Sequence, residues 1–163
     1  MSDKLKDIIN KQTEKTQEVT QLDDVVQLVG FMIGDEEYAV PILAIQEIIK
    51  PFEWTRVPQV PNYILGVFNL RGAVIPLIDL RTKFGLSTKK HNEDTRFIVM
   101  RHGDDVAGFV IDRLTMAIRI KKEDIGPAPD TVNGDETIID GVGKQKDKII
   151  TILKVNKLLQ RDF

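Results

Sequence analysis

The chain of 163 residues contains no cysteine, two histidines and one tryptophan, and neither charge sign predominates. The absence of cysteine excludes disulfides, thiolate metal sites and cysteine nucleophiles. His91 and His102 lack partners at ligand spacing, so we expect two solvated loop histidines, no metal and no cofactor. With 23 basic and 25 acidic side chains, the chain lacks the basic excess that phosphate backbones require, which argues against nucleic acid as a partner.

Signatures of catalysis are also missing. Asp79, Asp112 and Asp140 follow predicted strand ends, where acidic side chains ordinarily end strands or cap helices. Spacing alone leaves open a carboxylate pair for acid–base chemistry, but no nucleophile–base pattern accompanies it. The sequence therefore favours a protein that is not an enzyme.

The first 24 residues are polar and lack a long apolar run. Such a segment is neither a signal peptide nor a membrane anchor, so we expect a cytoplasmic protein without direct membrane insertion. Although Leu5, Ile8 and Ile9 have helical spacing, the composition predicts a flexible polar N-terminal arm over residues 1–24. Residues 25–163 are then the folded part.

The folded part contains many short apolar runs separated by turn residues. Strands are predicted at residues 26–33, 38–40, 45–49, 55–57, 65–69, 73–78, 95–101, 106–111, 116–120, 138–139 and 148–153. Their number and spacing indicate small β-barrels.

Helices are predicted only as short pieces. Residues 41–44 form one turn with Pro41 first, and residues 80–84 form another that ends before Gly85. A C-terminal helix is predicted at residues 155–161, where Val155, Leu158 and Leu159 share a face that can pack on a barrel. The polar segment 87–94 is a candidate seam between two halves of roughly sixty to seventy residues, each of which would need the other for stability.

Residues 66–81 are the most informative stretch, because two apolar runs are joined there by a turn that contains Arg71. The apolar residues suit strands and Gly72 provides turn flexibility, so a β-hairpin with Arg71 at its tip is predicted. The Arg71 guanidinium has two interpretations, as a contact for a partner or as an internal brace that binds carbonyls or a carboxylate. The sequence favours neither.

Two apolar groups are candidates for binding. Phe52 and Trp54 lie between charges and prolines in a predicted loop, where they are binding anchors unless Trp54 instead closes the end of a barrel. Ile42, Ile45 and Ile48 recur at steps of three, so they line a groove for a partner helix or belong to the core.

Several separate motifs occur in one order along the chain, at residues 34–38, 45–48, 56–58, 69–72, 79–81, 127–129 and 157–159. This series resembles the CheW family of bacterial chemotaxis coupling proteins. The resemblance implies a mainly β fold of two small SH3-like five-stranded β-barrels sharing a core, with few short helices and a C-terminal helix. Residues 25–163 would be one CheW-like domain of two intertwined β-barrel subdomains.

The resemblance also implies a function. CheW-like proteins are non-catalytic adaptors that couple the cytoplasmic tips of methyl-accepting chemoreceptors to the regulatory domain of the histidine kinase CheA in signalling arrays at the inner face of the membrane. Motif positions imply receptor-binding residues at Ile42, Ile45, Glu47 and Arg71. The residues assigned to kinase binding are Phe52, Trp54, Pro127 and Asp130.

One departure from the family pattern concerns the loop around Pro127. Many relatives have an arginine and a large apolar residue where this chain has Gly126 and Thr131, so we expect the kinase contacts of this loop to be weaker or made differently. Two alternatives to a stand-alone adaptor are a CheW-like module of a related coupling protein, which the short chain disfavours, and a nucleic-acid-binding β-barrel, which the neutral body disfavours.

Overall fold

A computed structural model describes residues 24–127 and 138–160. Its strands are β1 (Val25–Ile33), β2 (Glu36–Pro41), β3 (Ile45–Ile49), β4 (Ile64–Leu70), β5 (Ala73–Asp79), β6 (Arg96–His102), β7 (Asp105–Ile111), β8 (Arg113–Lys121), β9 (Ile125–Gly126), β10 (Ile139–Gln145) and β11 (Lys148–Leu153). The helical pieces are α1 (Leu80–Lys83), α2 (Val155–Leu158) and the 3-10 turns Ile42–Ala44 and Lys122–Asp124. The predicted mainly β class with few short helices is confirmed. The arm predicted at residues 1–24 lies outside the described residues except for Asp24.

The strands form two sheets. One has six strands in the order β8-β1-β2-β11-β10-β9, and the other has five in the order β3-β6-β7-β5-β4. The six-stranded sheet therefore combines strands from early and late in the chain, with the five-stranded sheet formed between them. The candidate seam at residues 87–94 is wrong, because this segment joins α1 to β6 beside the five-stranded sheet. The chain instead crosses between the sheets at Ile42–Ala44 and at Asp112.

Buried apolar side chains form three clusters. One contains residues of the six-stranded sheet, one contains residues of the five-stranded sheet, and the third is shared by both sheets. Strand β6 shows how this arises from the period-two alternation of a strand. Phe97 and Val99 belong to the cluster of the five-stranded sheet, whereas Ile98 and Met100 belong to the shared core. Strands with two apolar faces thus join the sheets through one shared core, as the resemblance implied.

The two edges of the five-stranded sheet are brought together after β3. Thr55 exchanges two backbone hydrogen bonds of 2.8 Å with Val67 of β4, the strand at the opposite edge. A side chain at Gly66 would prevent this, because its Cβ would lie 2.0 Å from the Thr55 carbonyl oxygen. The predicted strand at residues 55–57 is therefore a single bridge, and it curls the sheet towards closure.

The C-terminal elements differ from prediction in length. Helix α2 spans only Val155–Leu158, but Val155, Leu158 and Leu159 are buried in the shared core as expected. Strand β10 extends well beyond the predicted residues 138–139. It contains Gly141, where a Cβ would lie 2.9 Å from the Gly126 carbonyl oxygen, so close strand approach explains a glycine that strand propensity disfavours.

Candidate functional site

The β4–β5 hairpin has the predicted form. Leu70 pairs with Ala73, which leaves Arg71 and Gly72 as a two-residue turn. Both have positive φ, 52° and 88°, as the tightest hairpin turns require. The Asn69 side chain accepts a 3.0 Å hydrogen bond from the Gly72 N–H. The turn therefore presents Arg71 at the hairpin tip.

Arg71 is held by a carboxylate of the opposite edge strand. Its Nη2 donates to Glu47 Oε2 at 3.0 Å, and its Nε donates to Oε1 at 3.4 Å. The Arg71 side chain is 78% exposed and that of Glu47 only 20%. The hydrogen bond to Glu47 raises the pKa of Arg71, and attraction to the carboxylate adds to this. Arg71 therefore has a carboxylate partner within the chain, while most of its side chain is exposed to solvent.

A cavity of about 920 Å³ lies where the two sheets meet, and we call it the inter-sheet groove. Residues 43–46 and the β6–β7 turn line one side, and residues 153–157 with Asp140 line the other. Arg101 Nε donates to Gln46 Oε1 at 3.1 Å across the first side. The groove therefore combines apolar walls with polar rims.

The residues predicted to bind a receptor lie along one continuous stretch. Ile42 is 40% exposed on the 3-10 turn, and Ile45 lines the inter-sheet groove while also packing on the shared core. Glu47 follows in β3, and Arg71 at the tip of the β4–β5 hairpin binds its carboxylate. Leu43, which sequence analysis did not select, is 97% exposed. A three-residue turn that crosses between two sheets cannot bury all its side chains. The turn predicted at residues 41–44 was therefore the sequence feature that could have identified Leu43 as exposed.

Phe52 and Trp54 belong to an aromatic cluster with Phe68, His91 and Phe97. Ring centroids are 5.2 Å apart for Phe52 and Phe68 and 5.3 Å for Trp54 and His91. Phe52 is 40% and Trp54 37% exposed. Trp54 thus combines both interpretations, since it contacts the core ring of Phe97 and also faces solvent. His91, predicted to be solvated, is only partly exposed, because its ring contacts those of Trp54 and Phe97.

The residues predicted to bind a kinase do not form one site in the described structure. Pro127 is exposed and follows β9, at the edge of the six-stranded sheet, whereas Phe52 and Trp54 pack on the five-stranded sheet. Asp130 and the departure at Thr131 lie outside the described residues.

Two of the three acidic residues considered for catalysis have structural partners, and the third, Asp140, is exposed at the inter-sheet groove. Asp79 caps α1, accepting from the Arg81 N–H at 3.1 Å and the Thr82 hydroxyl at 2.9 Å. Asp112 forms an ion pair with Arg81. Over residues 24–127 and 138–160, no group of three or more histidine or acidic side chains could hold a metal ion. Within the same ranges, no helix has the length and hydropathy needed to cross a bilayer.

Comparison with known proteins identifies relatives over most of the chain. A family model described as the CheW-like domain matches residues 27–163. The chain is 56% identical to chemotaxis protein CheW of Helicobacter pylori over the full length of both, and 35% identical to CheW of Klebsiella aerogenes over 81% of this chain and 80% of the relative. The crystal structure of the scaffolding protein TtCheW from Thermoanaerobacter tengcongensis superposes with a TM-score of 0.77 at 31% identity, covering 84% of this chain and 89% of that one.

Proposed function

The chain belongs to the CheW family of chemotaxis proteins, and on that premise we propose that it is a non-catalytic adaptor that couples methyl-accepting chemoreceptors to the histidine kinase CheA. The receptor binds along the turn at Ile42, the groove at Ile45, and the Glu47–Arg71 pair. The kinase regulatory domain binds at Phe52 and Trp54 and at the loop that contains Pro127 and Asp130. The adaptor acts in the cytoplasm, in receptor arrays at the inner face of the membrane.

The observation that carries the receptor assignment is the exposed apolar turn beside the inter-sheet groove. Leu43 is 97% and Ile42 40% exposed, and the adjoining groove of about 920 Å³ has an apolar wall at Ile45. Amphipathic helices bind by placing apolar anchors in such grooves, and the polar rim fixes their orientation. A helical receptor tip fits this chemistry.

The physical basis of coupling is the combination of several weak contacts. Interfaces below about 1,200 Å² in total are individually transient. Holding many of them in one array raises the effective concentration, so the assembly is stable although no single pair is tight. A receptor signal changes kinase activity only if these contacts differ between the signalling states.

The test compares two substitutions that place the same charge at similarly exposed apolar positions. Ile42 is 40% and Leu86 41% exposed, so Ile42→Asp and Leu86→Asp introduce comparable surface changes. We expect Ile42→Asp to weaken binding to a receptor cytoplasmic fragment by at least tenfold in titration calorimetry, with binding to the CheA regulatory domain unchanged. Leu86→Asp should alter neither affinity. Unchanged receptor binding by the Ile42 variant would refute the receptor site.

No described contact favours the alternative functions. The 56% identity to chemotaxis protein CheW of H. pylori supports the adaptor proposed above. Family membership gives a nucleic-acid-binding barrel no support. Titration of the chain with a single-stranded oligonucleotide tests the nucleic-acid alternative, and we expect no binding.

A further inference from the structure

A second cavity, of about 960 Å³, lies at the other end of the six-stranded sheet from the inter-sheet groove. The β1–β2 turn, the first half of β8 and the β10–β11 turn line it. Strand β11 begins at this cavity with Lys148 and ends at the inter-sheet groove with Leu153, so the two sites are separated by the length of a strand. We call its surface the hairpin patch, defined by Asp35, Glu36, Met116, Lys146, Lys148 and Ile149.

The centre of the hairpin patch is apolar and open to solvent. Met116 of β8 is 58% exposed and Ile149 of β11 is 57% exposed. Both line the same cavity. Covering two such side chains is favourable, because apolar surface removed from water lowers the free energy.

Acidic and basic side chains predominate on different turns around this apolar centre, although Asp147 lies between the two lysines and Arg113 of β8 also lines the cavity. The β1–β2 turn contributes Asp35 and Glu36, and the β10–β11 turn contributes Lys146 and Lys148. The two turns lie side by side, because β2 and β11 pair in parallel with Tyr38 opposite Thr151. In the described part of the chain, no salt bridge joins the two lysines to the acidic turn.

This arrangement is complementary to itself. A second copy rotated by 180° about an axis through the patch would place its basic turn on the acidic turn of the first copy, and the reverse pairing would form at the same time. The cavity is lined by four acidic and three basic side chains, so two copies meet with little net repulsion. A partner carrying one charge sign would instead be repelled by one of the two turns.

We propose that the hairpin patch is a self-association surface at which two copies of this chain form a two-fold symmetric dimer. The surface is small, so the dimer is weak and forms at high local concentration. It leaves the inter-sheet groove and the aromatic cluster of both copies uncovered. The proposal does not depend on the function proposed above.

The first test is sedimentation velocity of the full chain between 1 µM and 1 mM. We expect a concentration-dependent shift from monomer to dimer at 50 mM salt, and at least a tenfold weaker association at 500 mM salt because screening shortens the reach of exposed charges. A chain that stays monomeric at 1 mM in low salt would overturn the proposal.

The second test uses charge reversal on each turn. The pair Lys146→Glu and Lys148→Glu makes both turns acidic, and the pair Asp35→Lys and Glu36→Lys makes the charged side chains of both turns mainly basic, with Arg113, Glu37 and Asp147 unchanged. Each double variant should associate at least tenfold more weakly than the original chain, because like charges then face each other. An equimolar mixture of the two should recover association to within about threefold, because a two-fold arrangement pairs opposite charges again.

The control reverses two exposed lysines elsewhere, Lys89→Glu and Lys90→Glu, in the segment beside the five-stranded sheet. Its association should equal that of the original chain. Because Glu36 accepts a hydrogen bond from the Tyr38 hydroxyl, Asp35→Lys alone replaces the basic-rim variant if the double change impairs folding. Dimers that resist both reversals, or variants whose mixture stays monomeric, would refute the two-fold arrangement.

Discussion

Arg81 Nη1 lies 2.5 Å from Asp112 Oδ2, and this ion pair links the two sheets. Asp112 occupies the point where the chain crosses from β7 to β8, and the same oxygen accepts a 2.8 Å hydrogen bond from the Gly34 N–H in the β1–β2 turn. Arg81 lies in α1 beside the five-stranded sheet and also donates from Nε to the Ser87 carbonyl at 2.9 Å. One carboxylate therefore links elements of both sheets.

Removing this carboxylate should be costly. We expect Asp112→Ala to lower the free energy of unfolding by about 2–4 kcal/mol, because it leaves a largely buried guanidinium and a turn N–H without their acceptor. Asp112→Asn retains an acceptor oxygen and should cost less than half as much. Urea unfolding measures both, and a loss below about 0.5 kcal/mol for the alanine variant would contradict the role of the pair.

The Glu47–Arg71 pair should act on binding more than on stability. Because Arg71 is largely exposed, we expect Glu47→Gln to leave the urea midpoint nearly unchanged. Receptor affinity should fall about tenfold, since the hairpin tip is no longer fixed over β3. Calorimetry with a receptor fragment measures the affinity.

A charge-swapped control separates the two interpretations of Arg71. The double variant Glu47→Arg with Arg71→Glu keeps an ion pair between β3 and the hairpin. Recovered receptor affinity would identify Arg71 as a brace, whereas continued weak binding would identify its positive charge as a contact.

The single tryptophan is an optical probe of the proposed kinase binding. We expect the CheA regulatory domain to shift Trp54 emission to shorter wavelength, because the exposed side of the indole becomes covered. Trp54→Ala should weaken kinase binding by at least tenfold, and Trp54→Phe should retain part of it. A loss of thermal stability with unchanged kinase affinity would assign Trp54 to the core alone.

Stability should fall at alkaline pH because of Tyr38. Burial raises the pKa of Tyr38 above its ordinary value of 10.0, and the hydrogen bond to Glu36 and the charge of that carboxylate add to this. Above about pH 10 the unfolded chain loses the Tyr38 proton while the folded chain retains it, so the stabilisation present below that pH is lost as pH rises.

The comparison variant for this effect is Tyr38→Phe, which lacks the titrating group. The original chain should be more stable than the variant by about 1 kcal/mol at pH 8, and this advantage should shrink steadily above pH 10. Urea unfolding of both chains at pH 8 and at about pH 11 gives the difference in their free energies of unfolding. The contributions of all other titrating groups cancel in this difference, because both chains contain them. A difference independent of pH would show that the pKa of Tyr38 is not raised.

Local pattern determined the elements that depend only on near neighbours. The predicted strand at residues 45–49 coincides with β3, and the β4–β5 hairpin has Arg71 at its tip as predicted. Both predictions succeeded because side-chain alternation and turn chemistry are properties of a few consecutive residues. The order of motifs along the chain also indicated the CheW family correctly. Which residues contact a receptor or a kinase stays a prediction.

Only the tertiary structure decided which distant residues meet. Arg71 finds Glu47 at a separation of 24 residues, and Gly34 finds Asp112 at a separation of 78. The parallel pairing of β2 with β11 places an acidic turn beside a basic one, a relationship invisible in the order of residues. Hydrophobic period fixes which face of a strand is buried, but strand partners depend on long-range backbone hydrogen bonds that any strand could form with any other. The sequence therefore determined the elements and the family, and the packing of the two sheets determined the sites between them.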